Sequence, residues 1–108
     1  MIQYQASYSA EALRDLRDIF EYIAFELKEP AIASAQINRI REGIRSLDAF
    51  PERNKAVDWE PWEERGVRQM PVDNFIAYYI PDGNNRMVHI LRIFYGKRDT
   101  PNLMKNER

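Results

Sequence analysis

The hydrophobic pattern divides this chain into a helical first half and a strand-rich second half. From Ser9 onward, Leu13, Leu16, Phe20, Ile23 and Leu27 recur at steps of three and four, lining one face of a helix of about five turns. Ser9 stands where an N-cap belongs, and Glu11 places a carboxylate in the first turn, at the positive end of the helix dipole. Glu29-Pro30 closes this helix, because proline disfavours helical geometry in the residue before it and is tolerated at the first position of a new one. The second helix is predicted over about 30–49, with Ala33, Ile37, Ile40, Ile44 and Leu47 inside and Arg39, Arg41, Glu42 and Arg45 outside, ending at Phe50-Pro51. Two amphipathic helices joined by so short a break form an antiparallel hairpin with one apolar face to cover.

The cover is predicted in the second half. Residues 67–72, 75–80 and 87–95 are rich in β-branched and aromatic side chains, and Pro81-Asp82-Gly83-Asn84-Asn85 is a strong hairpin turn. At the N-terminus Ile2, Tyr4 and Ala6 alternate with Gln3, Gln5 and Ser7, the period of a half-buried strand. The fold class is therefore α+β: an N-terminal strand, an antiparallel helix hairpin, then an antiparallel sheet packed on the helices. The last strand, Met87 to Tyr95, is apolar on both faces, which predicts a central strand with the helix pair on one side and a partner chain on the other. Residues 52–66 follow neither period and read as a long loop carrying Trp59 and Trp62. Those tryptophans either cap the core where the loop crosses it or present a binding surface.

Composition narrows the function classes. A chain of 108 residues is one domain, 1–108. With no cysteine there is no thiol nucleophile or Cys-ligated zinc, and His89, the single histidine, leaves no polyhistidine metal site. No metal or cofactor is expected. No apolar run is long enough for a membrane span and the start lacks the regions of a signal peptide, so a cytoplasmic location without membrane partners is expected. The net charge of -1 hides a division. Residues 84–108 hold six basic residues against two acidic, a net +4, while the first 83 hold ten against fifteen, a net -5.

If the sheet brings Arg65 and Arg68 beside Arg92, Lys97 and Arg98, the protein presents a cationic site suited to phosphate or carboxylate groups. The bland alternative is a solvated face partly neutralised by Glu63, Glu64 and Asp99. No phosphate loop, His-Glu-x-x-His or nucleophile elbow appears. His89 lies in an apolar strand and reads as a packed residue, whereas Tyr95, just before Gly96-Lys97-Arg98, is a phenol flanked by cations and a candidate proton acceptor.

The landmarks form a pattern. Tyr8-Ser9-x-x-Ala12 leads into Asp15-Leu16-Arg17-Asp18-Ile19 and Tyr22-Ile23; Leu47-x-x-Phe50-Pro51 follows the second helix; Arg68 opens a strand, Tyr78-Tyr79 sits in the next, and Ile90-x-Arg92-Ile93-x-Tyr95-Gly96-Lys97-Arg98-Asp99 ends the series. In order and spacing this resembles the RelE/ParE toxin superfamily of bacterial type II toxin–antitoxin modules. The resemblance implies a toxin that arrests growth and is held inactive by a cognate antitoxin, for which Trp59, Trp62 and Phe94 are the expected contacts. It also implies one of two targets. RelE-like members cleave mRNA on the translating ribosome without a metal, and in that reading Tyr95, Arg98, Arg68 and Lys97 are the catalytic set, with Arg53 or Lys55 adding charge. Here Met104 stands where RelE proteins carry a tyrosine, and Tyr95 stands where other relatives carry a histidine. ParE-like members instead inhibit DNA gyrase, with Arg65, Arg68, Arg92, Lys97 and Arg98 as the expected target contacts. The long helix hairpin, the Gly96-Lys97-Arg98-Asp99 ending and the net charge of -1 favour this branch.

Overall fold

The computed structural model describes residues 3–96. Strand β1 (Gln5–Tyr8) leads into helix α1 (Ala10–Glu21), which continues as one wider π-helical turn, Tyr22–Glu26. Helix α2 (Pro30–Arg45) returns antiparallel and ends in a 3-10 turn, Ser46–Asp48. A second 3-10 turn, Pro51–Arg53, opens the long loop, and β2 (Arg68–Val72), β3 (Phe75–Asp82) and β4 (Met87–Tyr95) complete the chain. The sheet order is β1-β4-β3-β2. The last three strands are antiparallel as expected, but β1 adds to the far side of β4 in parallel. The sheet is mixed because the α1–α2 hairpin carries the chain back over it before β2 begins.

Ser9 caps α1 as predicted: its Oγ accepts from the Ala12 N–H at 2.9 Å and donates to the Leu91 carbonyl at 2.8 Å. The buried stripe is offset from the predicted one. Ala12 and Leu16 are buried while Leu13 is 47% exposed, because α1 approaches β4 through the small side chain of Ala12. Further along, the Leu27 N–H bonds to the Tyr22 carbonyl at 3.1 Å, five residues back. That extra residue in the turn keeps Ile23 and Ala24 inside but turns Tyr22, Phe25 and Leu27 outward. On α2 the predicted face holds: Ala33, Ile40, Ile44 and then Leu47 are buried, Ile37 is half-buried, and the four charged residues are outside.

One core lies between the helices and the sheet, built from Ala12, Leu16, Ile40, Ile44 and Leu47 against Ala77, Tyr79, Val88, Ile90 and Ile93. A second lies on the opposite face, where Val57, Trp62 and Val67 of the loop pack on Tyr78 and Phe94. This corrects the expectation of a partner chain there: the loop itself supplies the second cover of β4. Trp62 stacks on Trp59 at 5.0 Å and meets Tyr78 at 5.0 Å. A bulge at Leu91, between the Tyr78–Arg92 and Tyr79–Ile90 pairs, shifts the alternation of β4 so that Ile93 returns to the helix side and Phe94 to the loop side.

Candidate target-binding surface

The structure gives the arginines separate tasks. Arg68 starts β2 opposite Tyr79, and its Nη1 donates to the carbonyls of Glu52 at 2.9 Å and Asn54 at 2.7 Å. Beneath it the buried Tyr79 hydroxyl donates to the Pro51 carbonyl at 2.6 Å and accepts from Asn54 Nδ2 at 3.0 Å. Burial pushes the Tyr79 phenol above its ordinary value, with the Asn54 bond and the Arg68 and Arg53 charges opposing. Arg53 Nη1 in turn donates to the Ser46 and Ala49 carbonyls at 2.9 and 2.8 Å, satisfying acceptors at the end of the α2 segment that no helical N–H reaches. Arg53 and Arg68, read from sequence as phosphate-facing cations, therefore hold the root of the loop.

Arg92 is engaged more deeply. Its Nε and Nη2 form a fork on Asp15 of α1, 2.9 Å to Oδ2 and 3.1 Å to Oδ1, with side chains only 17% and 11% exposed. The guanidinium carbon also lies 4.4 Å from the centre of the Phe94 ring. Asp15 Oδ2 additionally accepts the Ile93 N–H at 2.9 Å. The cause is topological: β1 ends at Tyr8, opposite Ile90, and beyond that point β4 has no neighbouring strand on this edge among the described residues. Ser9 and Asp15 take over the strand's hydrogen-bonding duties there. The expectation of Arg92 as an open target contact is thus corrected; the pairing with a residue 77 positions earlier leaves no local signal in the sequence.

Arg65 is exposed on the loop. It shares a groove of about 370 Å³ with Ser7, Ser9, Ile80, His89 and Leu91. His89, read as packed, is in fact partly exposed, with Nε2 3.2 Å from Asp82 Oδ2. Asp82 also accepts from the Asn85 side chain at 2.8 Å and the Asn85 N–H at 3.2 Å. These bonds, those from Asn85 first, hold its carboxyl down at about 2. On the other side of β1, a groove of about 320 Å³ runs beside Arg41 and Arg45 of α2; Arg41 sits over the Tyr8 ring at 5.3 Å. Burial raises the Tyr8 phenol, against the charges of Arg41 and Arg45.

Tyr95 ends β4 39% exposed, its ring edge-on to Phe75 at 5.8 Å, and Gly96 N–H donates to the Asn74 carbonyl at 2.7 Å just beyond it. Lys97 and Arg98 lie outside the described residues. Of the expected antitoxin contacts, Trp62 and Phe94 are buried in the second core and Trp59 is half-buried against it. The exposed large apolar side chains are Leu13, Tyr22, Phe25, Leu27 and Ile32 of the helix hairpin with Phe50 and Tyr95; of these the helical spacing predicts Leu13 and Leu27 on the inner face. Among the described residues no group of carboxylate, imidazole or thiol ligands is placed to hold a metal, and no helix is long and apolar enough to cross a membrane.

A family model described as the ParE toxin of the type II toxin–antitoxin system parDE matches residues 6–100. The chain belongs to the ParE toxin family. This ParE-family toxin superposes on a chain of the chromosomal ParDE toxin–antitoxin system from P. aeruginosa with a TM-score of 0.70 and 22% identity, over 88% of this chain and 98% of that one. It is also similar in fold to a chain of the RelBE2 toxin–antitoxin complex from Mycobacterium tuberculosis, with a TM-score of 0.63 and 22% identity over 87% and 99% of the two chains. No curated protein matches it in sequence. The RelE/ParE resemblance and the α+β architecture are thus both upheld, and the family match spans Arg65, Arg68, Arg92, Tyr95, Lys97 and Arg98.

Proposed function

We propose that this ParE-family toxin arrests bacterial growth by inhibiting DNA gyrase and is neutralised by a cognate antitoxin. The observation that carries the target is the engagement of Arg68. A metal-free RNase needs cations aimed at the phosphate where charge develops, yet Arg68, a member of the expected catalytic set, donates to the loop carbonyls of Glu52 and Asn54. Tyr95, the candidate base, packs on Phe75. The net charge of -1 supports the same reading, since docking among ribosomal RNA phosphates gains from counterion release by a strongly basic protein. Target contacts are assigned to the exposed Arg65 and to Lys97 and Arg98. The antitoxin is assigned because the structural neighbours come from toxin–antitoxin complexes.

The test is induction in growing cells with separate readouts of translation and DNA breakage, together with purified gyrase in a supercoiling and cleavage assay. Double-strand breaks with continuing protein synthesis are expected. Early translation arrest with mRNA cut at the ribosomal A site would overturn the gyrase reading and return Tyr95, Arg98, Arg68 and Lys97 to a catalytic role. A second arm uses Tyr95→Phe: a gyrase inhibitor keeps its toxicity without one hydroxyl, whereas an enzyme using that phenol as base loses most of it.

A further inference from the structure

The loop does not cover the whole face of the sheet opposite the helices. Trp59 and Trp62 lie over Tyr78 and Phe94, and beside them, among the described residues, the groove shared by β1, β4 and the loop is open. Its volume of about 370 Å³ lies toward the lower end of the roughly 300–1,000 Å³ range of small-ligand sites. The lining combines two kinds of surface. Ile80 and Leu91 are apolar, while Ser7, His89 and Arg65 bring a hydroxyl, an imidazole and a guanidinium. Ser7 and His89 are register partners across the β1–β4 pair, and Ile80 pairs with His89 across β3–β4, so the three sit in one row across the sheet.

We propose that this groove binds one nucleotide unit, with its base against Ile80 and Leu91 and its phosphoryl group on Arg65. The guanidinium fork matches two phosphoryl oxygens, which a point charge would not do as well. A bare phosphate leaves the apolar lining wet, and a purely apolar ligand leaves Arg65 without an anion. Asp82 orients the imidazole by engaging Nε2. With the Nε2–H donating to the Asp82 carboxylate, Nδ1 is left as an acceptor for an N–H or O–H of the base or sugar, and Ser7 can donate to the phosphoryl group. The Asp82 charge is already met by Asn85 and His89. The assignment is independent of the toxin's target, since the same chemistry is offered by a free nucleotide and by a nucleotide of an unpaired strand.

The experiment is a titration of the full-length chain followed by amide NMR, using the four 5′-mononucleotides, the matching nucleosides, inorganic phosphate and a short single-stranded DNA. At least one mononucleotide is expected to give saturable shifts at Ser7, His89 and Leu91. The matching nucleoside and inorganic phosphate are each expected to bind about ten-fold more weakly or worse, and Arg65→Ala to weaken the mononucleotide about ten-fold, with Arg65→Lys between. Arg65 is exposed, so these variants leave the fold intact, and Arg14→Ala on the outside of α1 is the silent control. A single strand held more than about ten-fold tighter than the mononucleotide, and still dependent on Arg65, identifies an unpaired strand as the occupant; equal affinity identifies a free nucleotide. No saturable shift at millimolar ligand, a mononucleotide affinity unchanged by Arg65→Ala, or phosphate binding as well as the nucleotide would each overturn the proposal.

Discussion

Replacing Asp15 by alanine removes three contacts at once: both arms of the Arg92 fork and the acceptor for the Ile93 N–H. Removing one partner of a buried ion pair typically costs about 3–5 kcal/mol, because the other charge stays behind uncompensated. Arg92 retains 17% side-chain exposure and the Phe94 ring, so its stranded charge finds partial relief and the lower end applies. The Ile93 N–H, left without its acceptor, adds about 1–3 kcal/mol. We therefore expect Asp15→Ala to destabilise by about 4 kcal/mol in total, within the range for losing a buried network. For a domain of this size that lowers Tm by roughly 16–30 °C.

The assay is urea unfolding followed by tryptophan fluorescence, since Trp62 is buried on the sheet and reports its exposure directly. The double variant Asp15→Leu with Arg92→Met separates the contributions. Replacing the whole pair by apolar groups removes the charge penalty and leaves the Ile93 N–H cost, so it should recover to within about 1–3 kcal/mol of the parent. Arg92→Ala alone should cost less than Asp15→Ala, because Asp15 keeps its bond from Ile93. An Asp15→Ala variant within about 1 kcal/mol of the parent would refute the account, since it would place this contact among exposed surface pairs.

Three other outcomes follow from the same geometry. Trp62→Ala should cost about 3–5 kcal/mol in the same unfolding assay, the loss for a fully buried tryptophan, while Trp59→Ala costs clearly less; a Trp62→Ala protein of unchanged stability that no longer binds its antitoxin would show the loop to be an interface rather than a lid. Ser9→Ala should cost about 1–2 kcal/mol by thermal unfolding, because the cap on Ala12 and the bond to the Leu91 carbonyl are lost together. Asp82, held at about 2 by Asn85 and His89, is depressed below its unfolded value, so its stabilisation is complete above about pH 4. It is lost as pH falls through about 2, so a carboxyl carbon NMR titration should place its midpoint there, and Asn85→Ala should move that midpoint up toward the ordinary aspartate value.

The helices were legible because periodicity and punctuation agree along them: Ser9 caps, Pro30 restarts, and the face from Ala33 to Leu47 faces inward as its spacing dictates. The β3–β4 turn was legible for a similar local reason, its Asp82-Gly83 step. The π turn at Tyr22–Glu26 and the bulge at Leu91 were not. Each inserts one residue into a periodic pattern, so side chains beyond it change face while the composition of the segment stays the same. The cationic site was misjudged for a different reason. Counting arginines treats them as equivalent charges, whereas a guanidinium carries five donors and goes to whatever acceptors the fold leaves unsatisfied. Here the end of α2 and the loop root left such acceptors, which Arg53 and Arg68 answer, while Arg92 donates to Asp15, the carboxylate that also accepts the Ile93 N–H at the edge of β4. All three engagements arise from long-range topology, which charge arithmetic does not contain. Three of the cations counted toward a target site thus have structural partners: Arg92 meets the opposite charge of Asp15, whereas Arg53 and Arg68, bonded to neutral carbonyls, keep their charge. Arg68 belongs to both expected sets and Arg92 to the gyrase set, so these engagements narrow the expected gyrase contacts to Arg65, Lys97 and Arg98, a few cations of the kind that set orientation and on-rate at a protein interface without a strongly positive field.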